Sequence, residues 1–348
     1  MARILLATDA WHPQVSGVVR TLDTTVQLLH EWGHCVDVIE PSQYWSVPTP
    51  FYPEIPICLP RPGRIYERVH RFRPDHVHIS TEGGLGLVVR RLCRRRNWRF
   101  TTSYHTRFPE YLRRLVGIPE SLTYRFLRWF HARSSTMMVA TPSLERELAE
   151  RGFTAPMRRW SRGVDLDLFQ PRPRPATGYP RPVMLYVGRV SHEKGIDDFL
   201  KLNRPGTKLV VGDGPARRQL ERQYPDAVFL GYRKGQELAA AYAAADVFVF
   251  PSKTDTFGIV VIEALASGLP VAAYPVTGPG DIVTNEQLGA LDTDLGRAID
   301  RALTTGNPTA CAAEGRKYIW ENCTRQFLAN LVPVRSTTDP ANGNTSSR

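Results

Sequence analysis

The sequence predicts an α/β protein with two doubly wound domains, each a mostly parallel sheet covered by helices on both faces. Three observations predict this fold. Strand-like apolar runs alternate with helix-like segments through residues 1–170, a proline-dense stretch follows at 170–182, and the alternation starts again at Val183. Two such domains joined by a short linker leave a cleft between the carboxyl ends of both sheets, where folds of this kind bind ligands.

The elements of the first half follow from hydrophobic periodicity. We expect strands at 3–8, 36–40, 75–80, 100–104 and 137–140, and helices at 18–32, 65–72, 85–96, 121–133 and 143–151. Residues 41–62 are rich in proline and aromatic residues, and we expect them to be irregular. The first domain is predicted to span residues 1–170.

The second half repeats the pattern after the linker. We expect strands at 183–187, 208–211, 227–230, 247–250 and 271–274, and helices at 196–202, 215–223, 236–244, 257–268, 294–303 and 310–331. This predicts a second domain at 183–315, with helical residues 316–332 after it. Residues 333–348 are polar and are predicted to form a disordered tail.

Composition excludes several protein classes. The 348 residues are 42% hydrophobic and 23% charged, which is normal for a globular protein with sizeable cores. Because no run approaches 18 apolar residues, we expect no transmembrane helix. The first residues are too short for a signal sequence and are predicted to be a strand. Five scattered cysteines show no metal-binding or redox spacing, which favours a reducing cytoplasm.

Positive charge is concentrated in the first half, where 24 arginines and no lysine stand against 16 acidic residues. Such a surface could face nucleic acid, an anionic membrane or an anionic substrate, or could be only a solvated surface. No nucleic-acid-binding module is visible, so no nucleic-acid partner is expected. Residues 85–133 interleave arginines with Trp98, Phe126, Trp129 and Phe130, a combination that suits an anionic membrane surface. The alternative is a core-facing helix with a solvated basic face.

The most informative stretch is Val249 to Pro270. A polar loop follows a buried strand, and a helix opens at Phe257-Gly258. The backbone N–H groups of Thr256, Phe257, Gly258 and Ile259 therefore lie at a helix N-terminus, which suits a phosphate. Asp255 in the loop and Glu263 two turns into the helix could accept hydrogen bonds from a sugar and a ribose. An ordinary strand–loop–helix unit with an acidic loop is the alternative.

A second motif, Gly188-Arg-Val-Ser-His-Glu-Lys-Gly195, follows the first strand of the second domain. Arg189 and Lys194 can converge on a diphosphate, because a guanidinium offers a fork of donors and an ammonium offers a point charge. The alternative is two exposed basic residues in a loop.

Loops of the first domain supply further candidates. Gly17 precedes the first helix and permits close approach of its backbone to a phosphate. Asp9 and His12 lie in the same loop and could contact an acceptor or a sugar, and Glu82 follows the 75–80 strand. His105 comes just after the 100–104 strand. Asp165-Leu-Asp167 fits the pattern of metal-dependent transferases, but we expect no metal there.

These motifs, in this order, resemble the signature of retaining nucleotide-sugar glycosyltransferases of the GT-B fold, family 4. The family pattern has two glutamates separated by seven residues, and Asp255 replaces the first of them. The segments at 9–14, 104–111, which includes Arg107, and 254–258 look like the bacterial alpha-mannosyltransferase and diacylglycerol glycosyltransferase group. The resemblance implies transfer of a hexose from a donor such as GDP-mannose, UDP-glucose or UDP-glucuronate.

The resemblance also assigns roles. It implies that Arg189 and Lys194 hold the donor diphosphate, with Gly17 and Gly188 beside it. It places His105 beside the donor sugar, the turn at Gly212 in the wall of the nucleotide pocket, and the base near Gly231. It further implies that residues 316–332 cross back to the first domain and that no metal or other cofactor is required.

A lipid acceptor fits the basic, aromatic first half, and Asp9, His12, Glu82 and Arg107 are its candidate contacts. The expected location is the cytoplasm, with peripheral binding to the inner face of the membrane. Two other functions remain open at this point: a nucleotide-sugar epimerase or hydrolase on the same fold, and a non-catalytic module that binds sugar nucleotides or membranes.

Overall fold

A computed structural model of the chain describes residues 1–47 and 57–335. It confirms the α/β class and the two parallel sheets, each of six strands. In these described ranges, no helix combines the length and the apolar composition that crossing a membrane requires.

The first sheet is assembled from elements in the first 159 residues. Its six strands are β1 (Arg3–Ala7), β2 (Cys35–Ile39), β5 (His76–Ile79), β6 (Thr101–Ser103), β7 (Thr136–Val139) and β8 (Met157–Arg159). Two further strands, β3 (Ser46–Val47) and β4 (Ile57–Cys58), form a separate hairpin. The helices are α1 (Gly17–Glu31), α2 (Pro62–Phe72), α3 (Gly84–Arg95), α4 (Phe108–Val116), α5 (Glu120–His131) and α6 (Pro142–Glu150). The strand order is β2-β1-β5-β6-β7-β8.

The second sheet lies within residues 183–291. Its strands are β9 (Val183–Val187), β10 (Thr207–Val211), β11 (Val228–Gly231), β12 (Val247–Phe250), β13 (Val271–Ala273) and β14 (Gly289–Leu291). The helices of this half are α7 (Ile196–Leu200), α8 (Arg217–Gln223), α9 (Gly235–Ala244), α10 (Ile259–Ala266), α11 (Pro279–Ile282), α12 (Leu295–Thr305), α13 (Pro308–Gly315) and α14 (Trp320–Asn330). The strand order is β11-β10-β9-β12-β13-β14.

Each sheet reverses its strand order beside its first strand. The chain moves from β1 outward to β2 and returns on the other side with β5, and β9, β10 and β12 repeat this scheme. The central strands are buried along their whole length because helices cover both faces, as in Val183–Val187 and Val247–Phe250. The loops after β1, β5, β9 and β12 therefore open on the two switch points, where such sheets bind ligands.

The C-terminal helix returns to the first domain. Trp320, Cys323 and Phe327 of α14 pack in one cluster with Ile4 and Leu22 of the first domain. The sequence predicted one helix over 310–331, and this is wrong. The helix breaks between α13 and α14 because Tyr318 and Ile319 pair with Val164 in the segment that joins the two domains. Val164 N donates to Tyr318 O at 2.9 Å.

The predicted start of the disordered tail is also wrong. Val334 N donates to Asp75 O at 2.8 Å, and Arg99 N donates to Val334 O at 2.9 Å, so residues 333–335 extend beside the first sheet. The rest of that predicted tail, residues 336–348, lies outside the described residues. At the other boundary, Phe169 belongs to the first half by sequence but packs edge-on against Tyr242, at 5.5 Å between ring centroids, in the second core.

Several short elements were not predicted. They are the hairpin strands β3 and β4 and the start of α2 within the stretch expected to be irregular, together with α4, β8, α11 and β14. Most contain fewer than five residues, which is too short for hydrophobic periodicity to reveal.

Candidate active site

The loops after β9 and β12 meet at the switch point of the second sheet. Gly195 lies so close to this junction that a Cβ there would be 2.4 Å from Pro251 O. The close approach brings Lys194 beside Asp255, and Lys194 Nζ donates to Asp255 Oδ1 at 2.7 Å. Burial alone would raise the pKa of Asp255, but Lys194 and a hydrogen bond from Ser252 outweigh it and hold the pKa below its usual value. The pair is thus a partly buried carboxylate, 25% exposed, that a cation holds ionised.

Helix α10 begins at Ile259 with Gly258 as its N-cap, at φ +87°. A left-handed conformation of this kind favours glycine, and a Cβ at this position would lie 3.0 Å from the Phe250 ring. No side chain in the described ranges caps this N-terminus. Gly17, at the start of α1, faces it across the cleft, since a Cβ on Gly17 would lie 3.3 Å from Ile259 Cδ1. The starts of two helices from opposite domains therefore lie together.

Thr256 and Phe257, just before that helix, are buried and contact other parts of the chain. Thr256 Oγ1 donates to the main-chain oxygen of His105 at 2.7 Å. This bond joins the loop between β12 and α10 (residues 251–258, the donor loop) to the first domain. The Phe257 ring lies edge-on to Tyr318, at 6.0 Å between centroids. Both side chains fix the loop, so any phosphate contact from them is through the backbone.

Glu263 is buried, with a side-chain exposure of 1%, and its two oxygens are both engaged. Arg20 of α1 donates to Oε1 from the first domain, and Tyr242 donates to Oε2 at 2.9 Å. A ribose hydroxyl would have to displace Arg20 to reach this carboxylate. Sequence reasoning missed Arg20 and Tyr242; the signal available for Arg20 was its position one turn after Gly17.

The His105 ring faces the interior of the first domain. Its Nδ1 accepts from Arg162 Nη2 at 3.0 Å, and its Nε2 lies 2.8 Å from Ser103 Oγ. Burial, with the nearby charge of Arg162, holds the pKa of His105 well below its usual value, so the ring is neutral. His105, which the resemblance places beside the donor sugar as a catalytic residue, therefore presents its carbonyl to the loop that carries Thr256, while its ring nitrogens are both occupied.

Two predicted acceptor contacts have structural partners instead. Asp9 Oδ1 accepts from Leu85 N at 2.9 Å and Oδ2 accepts from Thr81 Oγ1 at 2.9 Å, so Asp9 holds the start of α3. Burial raises the pKa of Asp9, against these hydrogen bonds. Glu82 is buried and lies 3.1 Å from His131 Nε2. Both carboxylates thus have partners within the first domain, and their contact with an acceptor stays a prediction.

The other two acceptor candidates differ in exposure. Arg107 is nearly buried and forms a two-pronged ion pair with Glu147, at 2.8 and 2.5 Å. His12 has a side-chain exposure of 58% and lies 3.1 Å from Asp23 on α1. Of the four predicted acceptor contacts, His12 is therefore the one open to a ligand in this conformation.

The remaining predicted donor residues lie where the strands of the second sheet end. Arg189 is half-buried in the loop after β9, and its carbonyl accepts from Tyr186 Oη at 2.7 Å. A Cβ on Gly212 would lie 1.8 Å from Gly188 O, and one on Gly231 would lie 2.7 Å from Arg217 Nη1. The glycines at 212 and 231 thus permit close packing of neighbouring chain segments.

The Asp-x-Asp motif closes a turn. Asp165 Oδ1 accepts from the backbone N–H groups of Asp167 and Leu168, each at 3.1 Å. Within residues 1–47 and 57–335, no group of three or more His, Cys, Asp or Glu side chains is arranged to hold a metal ion. Independence from metal remains a prediction.

Comparison with known proteins matches this arrangement to one family. The model of Glycosyltransferase Family 4 matches residues 15–168, and the model of glycosyl transferases group 1 matches residues 181–305. A GDP-mannose-dependent alpha-mannosyltransferase of Mycolicibacterium smegmatis is 32% identical over 95% of this chain and 94% of its own length. The chain belongs to glycosyltransferase family 4. It is accordingly an enzyme, and the predicted family and reaction class are confirmed.

Two further relatives and one solved structure are also similar to this family 4 glycosyltransferase. The sulfoquinovosyl transferase of Arabidopsis thaliana is 31% identical over 79% of the chain, which spans 60% of the plant protein's length. The alpha-monoglucosyldiacylglycerol synthase of Streptococcus pneumoniae is 26% identical over 86% of the chain and 78% of its own length. Sucrose-phosphate synthase from Thermosynechococcus elongatus shares the fold, with a TM-score of 0.76 at 22% identity, covering 94% of this chain and 98% of its own. The GT-B architecture predicted from the motifs is thus confirmed.

Proposed function

We propose that this family 4 enzyme transfers a hexose, with retention of configuration, from a nucleotide diphosphate sugar to a membrane lipid such as a diacylglycerol. The observation that carries the donor half is the Lys194–Asp255 pair beside the start of α10. A cation and a helix N-terminus together suit the diphosphate, and the ionised carboxylate suits sugar hydroxyls. The motifs that hold these residues match the family in order.

The charge that develops on the leaving diphosphate needs stabilisation at this site. Lys194 is held by Asp255, and the backbone N–H groups at the start of α10 are held by the helix, so both are fixed before the reaction. Fixed donors stabilise such charge efficiently, and Arg189 in the same loop as Lys194 adds a second cation. In front-face transfer, the leaving phosphate takes the proton of the acceptor hydroxyl. The occupied ring nitrogens of His105 fit this scheme, because it requires no protein side chain as a general base.

GDP-mannose, UDP-glucose and UDP-glucuronate are the donors we propose to test first. Support for a mannosyl donor is the similarity to the GDP-mannose-dependent alpha-mannosyltransferase. Support for a glucosyl donor and a diacylglycerol-type acceptor is the similarity to alpha-monoglucosyldiacylglycerol synthase.

An exposed apolar strip on α5 supports a lipid acceptor. Leu122, Phe126 and Trp129 recur at helical spacing and are 50%, 38% and 50% exposed, and Ile118 just before the helix is 39% exposed. Of the aromatics in the predicted membrane-binding stretch, Phe130 is fully buried, so the core uses it. The three exposed side chains of α5 form one face that could enter the membrane interface.

Arginines are present both on α5 and on α3, which packs against it. Arg90 of α3 lies under Trp129, with its guanidinium carbon 3.9 Å from the ring centroid, and donates to Trp129 O and Phe130 O at 2.7 and 2.8 Å. This contact joins the middle of α3 to the end of α5. Arg94 and Arg95 of α3 and Arg125 of α5 are exposed. Each arginine near an anionic surface contributes about 1 kcal/mol, so we propose peripheral binding at the cytoplasmic face of a membrane.

The donor and the reaction are tested together. The enzyme is incubated with each nucleotide sugar, with and without vesicles that contain diacylglycerol, and the lipid product and its anomeric configuration are analysed. We expect transfer to lipid with retained configuration from one of the three donors. Release of free sugar at the same rate with and without lipid would instead favour the hydrolase, and no turnover of any donor would contradict the proposed donor class.

Membrane binding is tested by vesicle sedimentation of a Phe126→Ala/Trp129→Ala variant. We expect the wild-type enzyme to bind anionic vesicles more tightly than neutral ones, and the variant to bind at least about tenfold more weakly because interfacial aromatic burial is lost. Tyr232→Ala is the matched control, since Tyr232 is 50% exposed in the second domain. Equal binding of wild type to neutral and anionic vesicles, or none at low salt, would contradict the membrane proposal.

A further inference from the structure

Arg162 is a buried cation in the segment that connects the two sheets. It is 5% exposed, and among the described residues none forms a salt bridge with it. Its guanidinium donates to Trp160 O and Ser161 O at 2.7 and 2.9 Å through Nη1, and to His105 Nδ1 at 3.0 Å through Nη2. Because removing a charge from water costs free energy, an arginine buried without a carboxylate requires a specific reason to be there.

The segment around Arg162 is fixed by the C-terminal helix. Ser161 N donates to Gln326 Oε1 at 2.8 Å, and Cys323 Sγ donates to Ser161 O at 3.1 Å. A Cβ on Gly163 would lie 2.4 Å from the Trp320 ring, so α14 also packs directly on the backbone there. Arg162 therefore projects toward His105 from a backbone that is held at the junction of both domains.

The contact fixes the tautomer of His105. A guanidinium can only donate, so Nδ1 of the neutral imidazole must accept, and the ring proton lies on Nε2. That proton is donated to Ser103 Oγ at 2.8 Å, and Ser103 lies 3.1 Å from His78 Nε2. His78 Nδ1 in turn lies 2.9 Å from Thr101 Oγ1. Burial lowers the pKa of His78 to about 3, so this second ring is also neutral.

The peptide carbonyl of the same His105 meets the donor loop. It accepts from Thr256 Oγ1 at 2.7 Å, next to Asp255. A rotated or displaced His105 would move this carbonyl away from Thr256. The Arg162 contact and the Thr256 contact are thus the two ends of one connection, running from the interdomain segment through His105 to the donor loop.

We infer that Arg162 is a positioning residue for glycosyl transfer: it holds the His105 loop so that the His105 carbonyl keeps Thr256 and the adjoining Asp255 in place. The inference rests on the proposed transfer reaction at this cleft. Misplacing reacting groups by about 1 Å can cost on the order of 100-fold in rate, so loss of the contact affects kcat without any contact between Arg162 and substrate.

The first test measures the His105 ring directly, without substrate. Protein labelled with ¹⁵N-histidine is compared between wild type, Arg162→Met and Arg162→Lys, and the His105 signal is identified from its loss in His105→Gln. We expect the Nε2–H tautomer in wild type and a mixture of tautomers in Arg162→Met. Arg162→Lys, whose ammonium group likewise can only donate, should keep the Nε2–H tautomer. An unchanged His105 tautomer in a folded Arg162→Met variant would overturn the inference, whatever activity the enzyme has.

The second test measures kinetics with the donor and acceptor that the wild type uses. We expect kcat of Arg162→Met to fall about 10- to 100-fold, because misplacement acts on the reacting geometry. Arg162→Lys keeps the charge but loses the forked donors of the guanidinium, and it is measured in place of Arg162→Met if the methionine variant does not fold. Arg158→Met is the matched control, an exposed arginine of β8 for which we expect wild-type kcat. A kcat within twofold of wild type for both Arg162 variants would overturn the inference.

A double variant distinguishes this role from general loss of structure. If Arg162 acts through His105 on Thr256, then Arg162→Met combined with Thr256→Val is no slower than the slower single variant. If the two losses multiply, Arg162 acts through another route and the inference fails. Absence of any transferase activity in the wild type would contradict the proposed function, but it leaves the tautomer test to decide the role of Arg162.

Discussion

Replacing Arg20 with methionine tests how the two domains are joined at the cleft. Arg20 of α1 donates to Glu263 of α10 across 243 residues of sequence. The Glu263 side chain is 1% exposed and that of Arg20 is 35% exposed. Methionine keeps the length and apolar stem of the side chain, but it leaves the Glu263 carboxylate with Tyr242 as its remaining hydrogen-bond donor.

The size of the effect follows from these exposures. Deleting one partner of a fully buried ion pair typically costs about 3–5 kcal/mol, because the other charge remains buried. Arg20 is one-third exposed, so water can enter the space that its guanidinium leaves. We therefore expect the free energy of unfolding to fall by about 2–3 kcal/mol, and Tm to fall by about 4–12 °C for a domain of this size.

Urea unfolding and thermal scans of four proteins provide the assay: wild type, Arg20→Met, Glu263→Gln and the double variant. The double variant should be more stable than Arg20→Met alone, because glutamine removes the uncompensated charge. Arg218→Met, at an exposed arginine of α8, is the control for loss of an arginine as such. The reasoning is refuted if Arg20→Met lies within about 0.5 kcal/mol of wild type, the range of ordinary surface substitutions.

Nucleotide binding by the same variants shows whether Glu263 binds the ribose of the nucleotide or only joins the two domains. If Glu263 accepts a ribose hydroxyl, removing Arg20 frees the carboxylate, and Arg20→Met should bind UDP or GDP at least as tightly as wild type does. Glu263→Gln should then bind more weakly. Equal affinity in all four proteins would mean that Glu263 only joins the domains.

Three further predictions concern the cleft and the core. Lys194→Ala and Arg189→Ala should each reduce kcat about 100- to 1000-fold, because each variant lacks one of the cations that stabilise the leaving diphosphate. The circular dichroism spectrum should be unchanged, and activity within threefold of wild type would contradict these assignments. Activity should persist in excess chelator, whereas complete loss that magnesium or manganese restores would reopen the case for Asp165 and Asp167. Lowering the pH from 7 to 5 should reduce the free energy of unfolding by about 2 kcal/mol through His78. The pKa of His78 is about 3 in the folded protein and about 6.5 in the unfolded chain, so only the unfolded chain gains the proton over this range. The burial-lowered pKa of His105 adds an effect of the same sign. Urea unfolding at both pH values measures this, and a folded His78→Gln variant with the same pH dependence as wild type would show that His78 is not its source.

The arrangement of the sheets could be predicted because it depends on local pattern. The wholly apolar run from Val183 to Val187 indicates a strand buried on both faces, and a strand so buried belongs in a parallel sheet with helices above and below. In such a sheet every strand ends at the same edge. The sequence therefore also predicts that the loops carrying Lys194 and Asp255 open on the cleft. The observed contact between these two side chains agrees with this prediction.

The partners of individual side chains could not be predicted in this way. Asp9 is a loop acid with the same sequence signal as Asp255, but it accepts from Leu85 N, 76 residues away, and serves the first domain. The difference arises because α3 starts beside Asp9, and no local pattern records where a helix 76 residues later begins. Burial of Phe130 with exposure of Trp129 likewise depends on which face of α5 meets the sheet.

The sequence by itself determined which residue types lie at the carboxyl ends of the strands, since strand period, turn residues and parallel topology are local or nearly local properties. Only the tertiary structure decided which of those residues remain open to a ligand. The His105 ring points inward and accepts from Arg162, and Glu263 accepts from Arg20 of the other domain. Both outcomes depend on contacts between distant segments, whose geometry is set by the packing of α1 and α14 on the first sheet and of α10 on the second.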